Sequence, residues 1–130
     1  MDLSADMARL AAHRFAGTIE GVTVSFACGD VVALPLRNET FNCAYAMHSH
    51  LYWPSPAAGI REVHRVLRPG GRILLGMDVV SGVRLVKWFG RDYEPLPPAR
   101  LSKLLGECGF VDVATQHLTR GVVSVVGVRP

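Results

Sequence analysis

Apolar residues recur along this chain with two periods, and the switches between them divide it into elements. Met7, Leu10, Ala11 and Phe15 share one face at helical spacing behind Ser4, a good N-cap. They predict a first helix, which Gly17 ends. Residues 22–27 are β-rich and short and predict a strand running into Gly29 and Asp30. A connection follows, with a proline turn at Leu34-Pro35-Leu36, and Phe41 to Met47 predicts a second strand. Ser55 and Pro56 supply the cap and first-turn proline of a second helix. Its buried stripe is Ile60, Val63 and Leu67, and its wet face is Arg61, Glu62, Arg65 and Arg68. Arg68-Pro69-Gly70-Gly71 predicts a tight turn and Arg72 to Met77 a strand. Pro98 opens another helix with Leu101, Leu104, Leu105 and Cys108 as its stripe and Gly109 as its stop. Val111–Leu118 and Val122–Val128, joined by Arg120-Gly121, predict an antiparallel hairpin.

Strands alternate with helices until that hairpin. The pattern predicts an α/β sheet, parallel over most of its width, with an antiparallel edge. No repeat or boundary divides the chain, so 1–130 reads as one domain.

Composition narrows the class. Of 130 residues, 49% are hydrophobic and 19% charged, enough apolar material for a core. No apolar run reaches the length of a membrane span, and Met1 to Ala12 carries no signal-peptide core, so no membrane association is expected. Cys28, Cys43 and Cys108 are odd in number and widely spaced, which suits free thiols in a reducing, cytoplasmic setting. The net charge of +3 is dispersed, whereas a nucleic-acid binder concentrates it; a small-molecule partner is expected instead.

Ligands of open α/β sheets sit beyond the carboxyl ends of the strands. Asp2, Asp30 and Asp78 fall at or just after such ends. A carboxylate there suits a ribose hydroxyl or an adenine amino group; the plainer alternative is a turn cap. His48 and His50 would share one face of an extended segment near Cys43, but no further ligand lies at a recognised spacing, so no metal is expected. His48 suits a general base, since imidazole titrates near neutral pH. Trp88, Phe89 and Tyr93 are candidates for an aromatic cover over a substrate, or for simple packing.

Several segments resemble one family in order and spacing. Asp30-Val31-Val32-Ala33-Leu34-Pro35-Leu36 with Phe41-Asn42 is similar to the G-D-x-x-x-L-P-F…F-D stretch of class I S-adenosylmethionine-dependent methyltransferases. Arg61 to Arg72 resembles their R-E-x-x-R-V-L-R-P-G-G-R helix, turn and strand. Tyr52-Trp53-Pro54-Ser55-Pro56, Asp2 to Met7 and Leu101 to Phe110 resemble further family segments. The resemblance implies a Rossmann-like sheet and methyl transfer from S-adenosylmethionine. It implies that Asp2 binds the cofactor ribose, that Asp30 meets the adenine amino group, and that Gly29 and Val31 flank it. Met47 and His48 match the strand end where the methionine moiety and the acceptor meet, with His48 the candidate catalytic base. Pro69, Gly70 and Gly71 match as structural residues.

The departures from the family are equally specific. No G-x-G-x-G loop, first strand or first helix has a counterpart here, so the sheet reads as N-terminally truncated. In the family order 3-2-1-4-5-7-6, two missing strands leave a gap of roughly 14 Å between segments 22–27 and 41–47, at about 4.8 Å per strand spacing. The expectation is that 22–27 pairs directly beside 41–47, that these edges pair with a second chain as a homodimer, or that the isolated chain is poorly folded. A methyltransferase-like binding or assembly module without catalysis is the alternative to an enzyme.

Overall fold

The computed structural model describes residues 1–15, 23–78, 96–119 and 121–130. Helix α1 spans Ala5–Phe15. The Ser4 Oγ accepts from the Met7 N–H at 3.3 Å, the cap that its sequence predicted. Strand β1 is Phe41–Met47, followed by a short 3-10 helix, Ser49–Tyr52. Helix α2 runs Pro56–Val66 and passes directly into strand β2, Leu67–Asp78. Helix α3, Pro98–Glu107, precedes β3, Val111–Thr119, and β4, Val122–Val128.

The four strands form a sheet in the order β1-β2-β4-β3. Only β1–β2 is parallel; β2–β4 and β4–β3 are antiparallel. The expectation of a sheet parallel over most of its width is therefore corrected among the described residues. The cause is topological: β4 inserts between β2 and β3, so the hairpin contributes both antiparallel ladders.

The core lies on one face of this sheet. Ile73, Leu75 and Met77 alternate along β2, and Val125 pairs with Leu75 on the next strand. Ile60, Val63 and Val66 of α2 and Leu101 and Leu105 of α3 complete one apolar cluster with them. Each such side chain contributes about 1.5–3 kcal/mol by leaving water. Leu67 was read as the end of the helical stripe. It is the C-cap of α2 with extended dihedrals, and it begins β2.

The predicted turn at Arg68–Gly71 exists as an excursion within β2. Phe41 faces Leu67 while Cys43 already faces Arg72, so the intervening residues leave the ladder. Gly70 takes φ 77°, and a Cβ on Gly71 would sit 2.7 Å from the Arg68 carbonyl oxygen. Both glycines are structural requirements here.

Two expectations fail on the N-terminal side. Among the described residues, 23–27 form no ladder; the pairings on this side are isolated bridges, parallel between Asp2 and Cys28 and antiparallel between Asp30 and Ala33. A strand needs a partner along its length, and the backbone near Asp2 supplies one only at Cys28. Nor does 23–27 pair with β1, whose ladder partner among the described residues is β2 alone. Met7, Leu10 and Phe15 stay exposed, and α1 has no buried residue. Phe15 stacks on Phe26 at 6.4 Å between centroids. The expected helix stop at Gly17 and the aromatic cover at Trp88, Phe89 and Tyr93 lie outside the described residues.

Candidate functional site

The Asp2–Cys28 bridge brings two predicted site segments together. The Asp2 N–H donates to the Ala27 carbonyl at 3.0 Å, and the Gly29 N–H donates to the Asp2 carbonyl at 2.9 Å. Asp2 is thereby a sheet-like neighbour of the residues leading into Asp30. Each acid also caps its own turn. Asp2 Oδ1 accepts from the Ser4 N–H at 2.8 Å, and Asp30 Oδ1 from the Val32 N–H at 3.1 Å. The capping role weighed against ligand binding is thus present, and it occupies one oxygen of each carboxylate. Gly29, Asp30 and Val31 are half-buried, and Asp2 is exposed. A Cβ on Gly29 would lie 2.7 Å from Pro35 Cδ, so glycine there admits the proline turn. Asp78, the third acid, ends β2 opposite Val122.

The histidines separate. His48 is exposed and left-handed, at φ 59°, and its N–H donates to the Gly76 carbonyl at 2.9 Å. His50 turns inward on the 3-10 helix, with 4% of its surface exposed. The shared extended face is corrected: the chain bends at His48, so the two rings do not project alike. Burial, then the charge of His48, pushes the His50 pKa down to about 4, against a smaller opposing effect of the Ala46 carbonyl. Neither ring nitrogen makes a well-formed hydrogen bond, and the Ala46 carbonyl acts only weakly. The ring meets Trp53 edge-on at 6.3 Å. Among the described residues, no group of three His, Cys, Asp or Glu is placed to hold a metal ion.

Met47 lies over the neighbouring strand. A Cβ on Gly76 would collide with its Sδ, so the missing side chain at 76 makes room for it. Met47 is partly exposed at the end of β1.

Sequence reasoning missed one constellation. Glu62 and Arg65, assigned to the wet face of α2, reach across to the connection after Asp30. Glu62 Oε2 accepts from the Leu34 N–H at 2.8 Å. Arg65 donates to both Glu62 oxygens, to the Leu34 and Leu36 carbonyls and to Asn38 Oδ1. Hydrogen bonding from Arg65 holds the Glu62 carboxyl below its usual range. The available signal was the spacing of three between Glu62 and Arg65 beside an otherwise apolar Leu-Pro-Leu segment. A separate cleft of about 540 Å³, lined by Ser55, Pro56, Ala57, Leu96, Arg100, Lys103, Leu104 and Glu107, shares no residue with the predicted site.

Against known proteins, the profile of a family described as "Methyltransferase domain" matches residues 1–75, more than half of the chain. The chain belongs to this methyltransferase family. The match includes both acids, β1, α2 and most of β2. A curated relative, the tRNA U34 carboxymethyltransferase of Chromohalobacter salexigens, is 30% identical over 111 residues. That alignment includes 79% of this chain but only 33% of the relative, so the methyltransferase-family chain spans about a third of that protein's length. The fold of an SAM-dependent methyltransferase from Thermotoga maritima superposes with a TM-score of 0.77 at 20% identity, covering 98% of this chain and 70% of that one. The [4+2]-cyclase SpnF superposes with a TM-score of 0.72, also at 20% identity, covering 98% and 65%. These likenesses show a Rossmann-like fold. The expectation of no nucleic-acid partner gains no support from a set that includes a tRNA-modifying relative.

The residues present fit one half of the cofactor that the family implies. The juxtaposed Asp2 and Asp30 segments offer acceptors for a nucleoside, and Val31 offers an apolar flank. No Gly-x-Gly-x-Gly segment in this sequence offers the backbone approach that a carboxypropyl end needs.

Proposed function

We propose that this chain carries the nucleoside-binding and acceptor-facing parts of an S-adenosylmethionine-dependent methyltransferase acting on a small molecule. The observation that supports the reading is the backbone exchange between Asp2 and residues 27–29, which ties the Asp2 segment to the residues that lead into Asp30. When bound, S-adenosylmethionine supplies an activated methyl group. Asp2 accepts from the ribose hydroxyls and Asp30 from the adenine amino group. Gly29 leaves room beside the ring and Val31 packs on it. Met47 marks the border toward the acceptor. His48, exposed at the end of β1, takes the proton that a hydroxyl or amine acceptor releases. Most of the acceleration in such a transfer comes from orientation and exclusion of water. The assembly in this reading is a homodimer through the apolar edge of β1.

The test is calorimetric titration of the chain with S-adenosylmethionine and S-adenosylhomocysteine. Micromolar binding is expected, weakened by about 1–3 kcal/mol in Asp30→Ala, the cost of leaving a ligand donor unpaired. Binding unchanged by that substitution would remove Asp30 from the site. A second reading is a binding or assembly module without catalysis. A folded chain that binds neither ligand would establish it over the first.

A further inference from the structure

The half of the molecule that carries Asp2 and Asp30 is joined to the sheet in an unusual way. Among the described residues no ladder connects them: residues 23–27 pair with no strand, and Asp2–Cys28 is an isolated bridge within that half. The connection after Asp30 instead lies along α2. Leu34 enters the core, with Val31 and Leu36 packed against it. The side-chain part of the polar contact over residues 34–38 is carried by Glu62 and Arg65, and the Glu39 and Thr40 N–H groups donate to the Arg65 and Val66 carbonyls at its far end.

Arg65 is fully used. A guanidinium has five N–H donors in a fixed fork. Nε donates to Glu62 Oε1 at 2.8 Å, and Nη2 to Glu62 Oε2 at 2.8 Å and the Leu34 carbonyl at 3.0 Å. Nη1 donates to the Leu36 carbonyl at 2.8 Å and Asn38 Oδ1 at 2.6 Å. Five donors meet five acceptors, three of them on the connection. Glu62 closes the circuit by accepting from the Leu34 N–H. The same short segment determines where Asp30 sits. The Ala33 N–H donates to the Asp30 carbonyl at 3.1 Å, and the Val32 N–H to its carboxylate.

We propose that Glu62 and Arg65 are a positioning pair, which fixes the 31–38 connection on α2 and so holds the Asp30 carboxylate in place relative to the sheet. Neither residue touches the ligand in this scheme; both act through the backbone of residues 34–38. Lysine cannot replace Arg65, because three donors on one nitrogen cannot span acceptors on three residues and a carboxylate at once. Glutamine at 62 keeps an acceptor for Leu34 and loses the charge, so its effect is smaller.

The experiment is residue-resolved amide hydrogen exchange on the whole chain, with Arg65→Lys and Glu62→Gln compared against the unaltered protein. The Val32, Ala33 and Leu34 amides report the connection; Leu75 and Val125, on paired strands, report the sheet. Arg65→Lys is expected to speed exchange at Val32–Leu34 by roughly tenfold or more, the size of one charge-assisted hydrogen bond, and to leave Leu75 and Val125 unchanged. Glu62→Gln, the milder change, should shift the same amides by less, and it carries the test if Arg65→Lys does not fold. Equal acceleration of sheet and connection in the variants would mean general destabilisation and would overturn the proposal, as would no acceleration anywhere.

A second measurement rests on the nucleoside reading above. S-adenosylhomocysteine affinity should fall roughly tenfold in Arg65→Lys, in step with the loosened connection. Affinity kept in Arg65→Lys but lost in Asp30→Ala would overturn positioning while sparing the nucleoside site. Affinity untouched by Asp30→Ala would sink the nucleoside reading, and exchange at Val32, bonded to the Asp30 carboxylate itself, then decides the positioning pair alone.

Discussion

His50 shows how one buried side chain sets a pH response. Its ring is enclosed, neither nitrogen makes a well-formed hydrogen bond, and its pKa falls from 6.5 to about 4. The unfolded chain therefore takes up a proton near pH 6.5 that the folded chain refuses until about 4. Between these values the unfolded state binds more protons, so stability declines as pH falls. His64 adds to the same trend: burial first, then the Arg129 charge, lowers its pKa. Urea unfolding of His50→Phe at pH 7.5 should show a gain of about 1–3 kcal/mol, since a poorly paired buried polar group is removed and the edge-on contact with Trp53 is kept. The loss of stability between pH 6.5 and 4 should shrink in that variant. An unaltered pH slope would mean that the His50 ring is hydrated. From sequence, His50 and His48 looked alike; only the left-handed bend at His48 sends one inside.

At the scale of elements, glycines divide into those that admit a neighbour and those that do not. A Cβ on Gly59 of α2 would meet Trp53 Cε3 at 2.6 Å, whereas a Cβ on Gly106 of α3 meets nothing within 4 Å. The same substitution should thus act in opposite directions. Gly59→Ala is expected to cost about 1–3 kcal/mol by overpacking a rigid ring. Gly106→Ala should add about 0.4–1 kcal/mol by restricting the unfolded chain. Thermal denaturation of both variants checks the pair; matching signs would contradict it. The helices, the hairpin and β1 were legible because each carries its own cap, period or turn residue. Ser55 accepts from the Ala58 N–H, and Gly109 and Gly121 take positive φ at their stops. Residues 23–27 were misread because β-propensity speaks only of a residue's fitness for a strand, and a strand exists through its partner. Glu62 and Arg65 were misread because their partners lie some thirty positions away on a segment without periodicity.

For the whole molecule, most exposed large apolar residues lie on the N-terminal segment and on β1, with Tyr52 on the 3-10 helix and Val111 and Leu118 on the opposite edge strand. Leu3, Met7, Leu10 and Val24 lie on the first; Phe41, Tyr45 and Met47 lie on the second, with Tyr45 78% exposed. Surfaces of this kind associate. Sedimentation across a concentration series should show a reversible dimer that Tyr45→Lys weakens by about tenfold, an edge lysine being a common block to strand pairing. A monomer at every concentration would remove the homodimer. Asp2 and Asp30 drew attention from the sequence as acids at expected strand ends, although 23–27 forms no ladder. Their relation to each other was not legible, because it depends on a single bridge that no local pattern announces.

The insertion of β4 between β2 and β3 also has a consequence in time. β2 lies inside the sheet, yet its second edge is closed by residues about fifty positions further on, Arg72 by Val128 and Asp78 by Val122. The Gly70 and Arg129 backbones add a last pair of bonds, Gly70 N–H to Arg129 carbonyl and Arg129 N–H to Gly71 carbonyl, each 2.8 Å. During synthesis, β1, α2 and β2 emerge well before that edge can be satisfied, and β2 waits with its amides open. The hairpin of β3 and β4 is local in sequence, whereas its docking on β2 must close a long loop, which slows that step. A nascent chain halted before residue 122 would therefore present the second edge of β2 to any neighbouring strand.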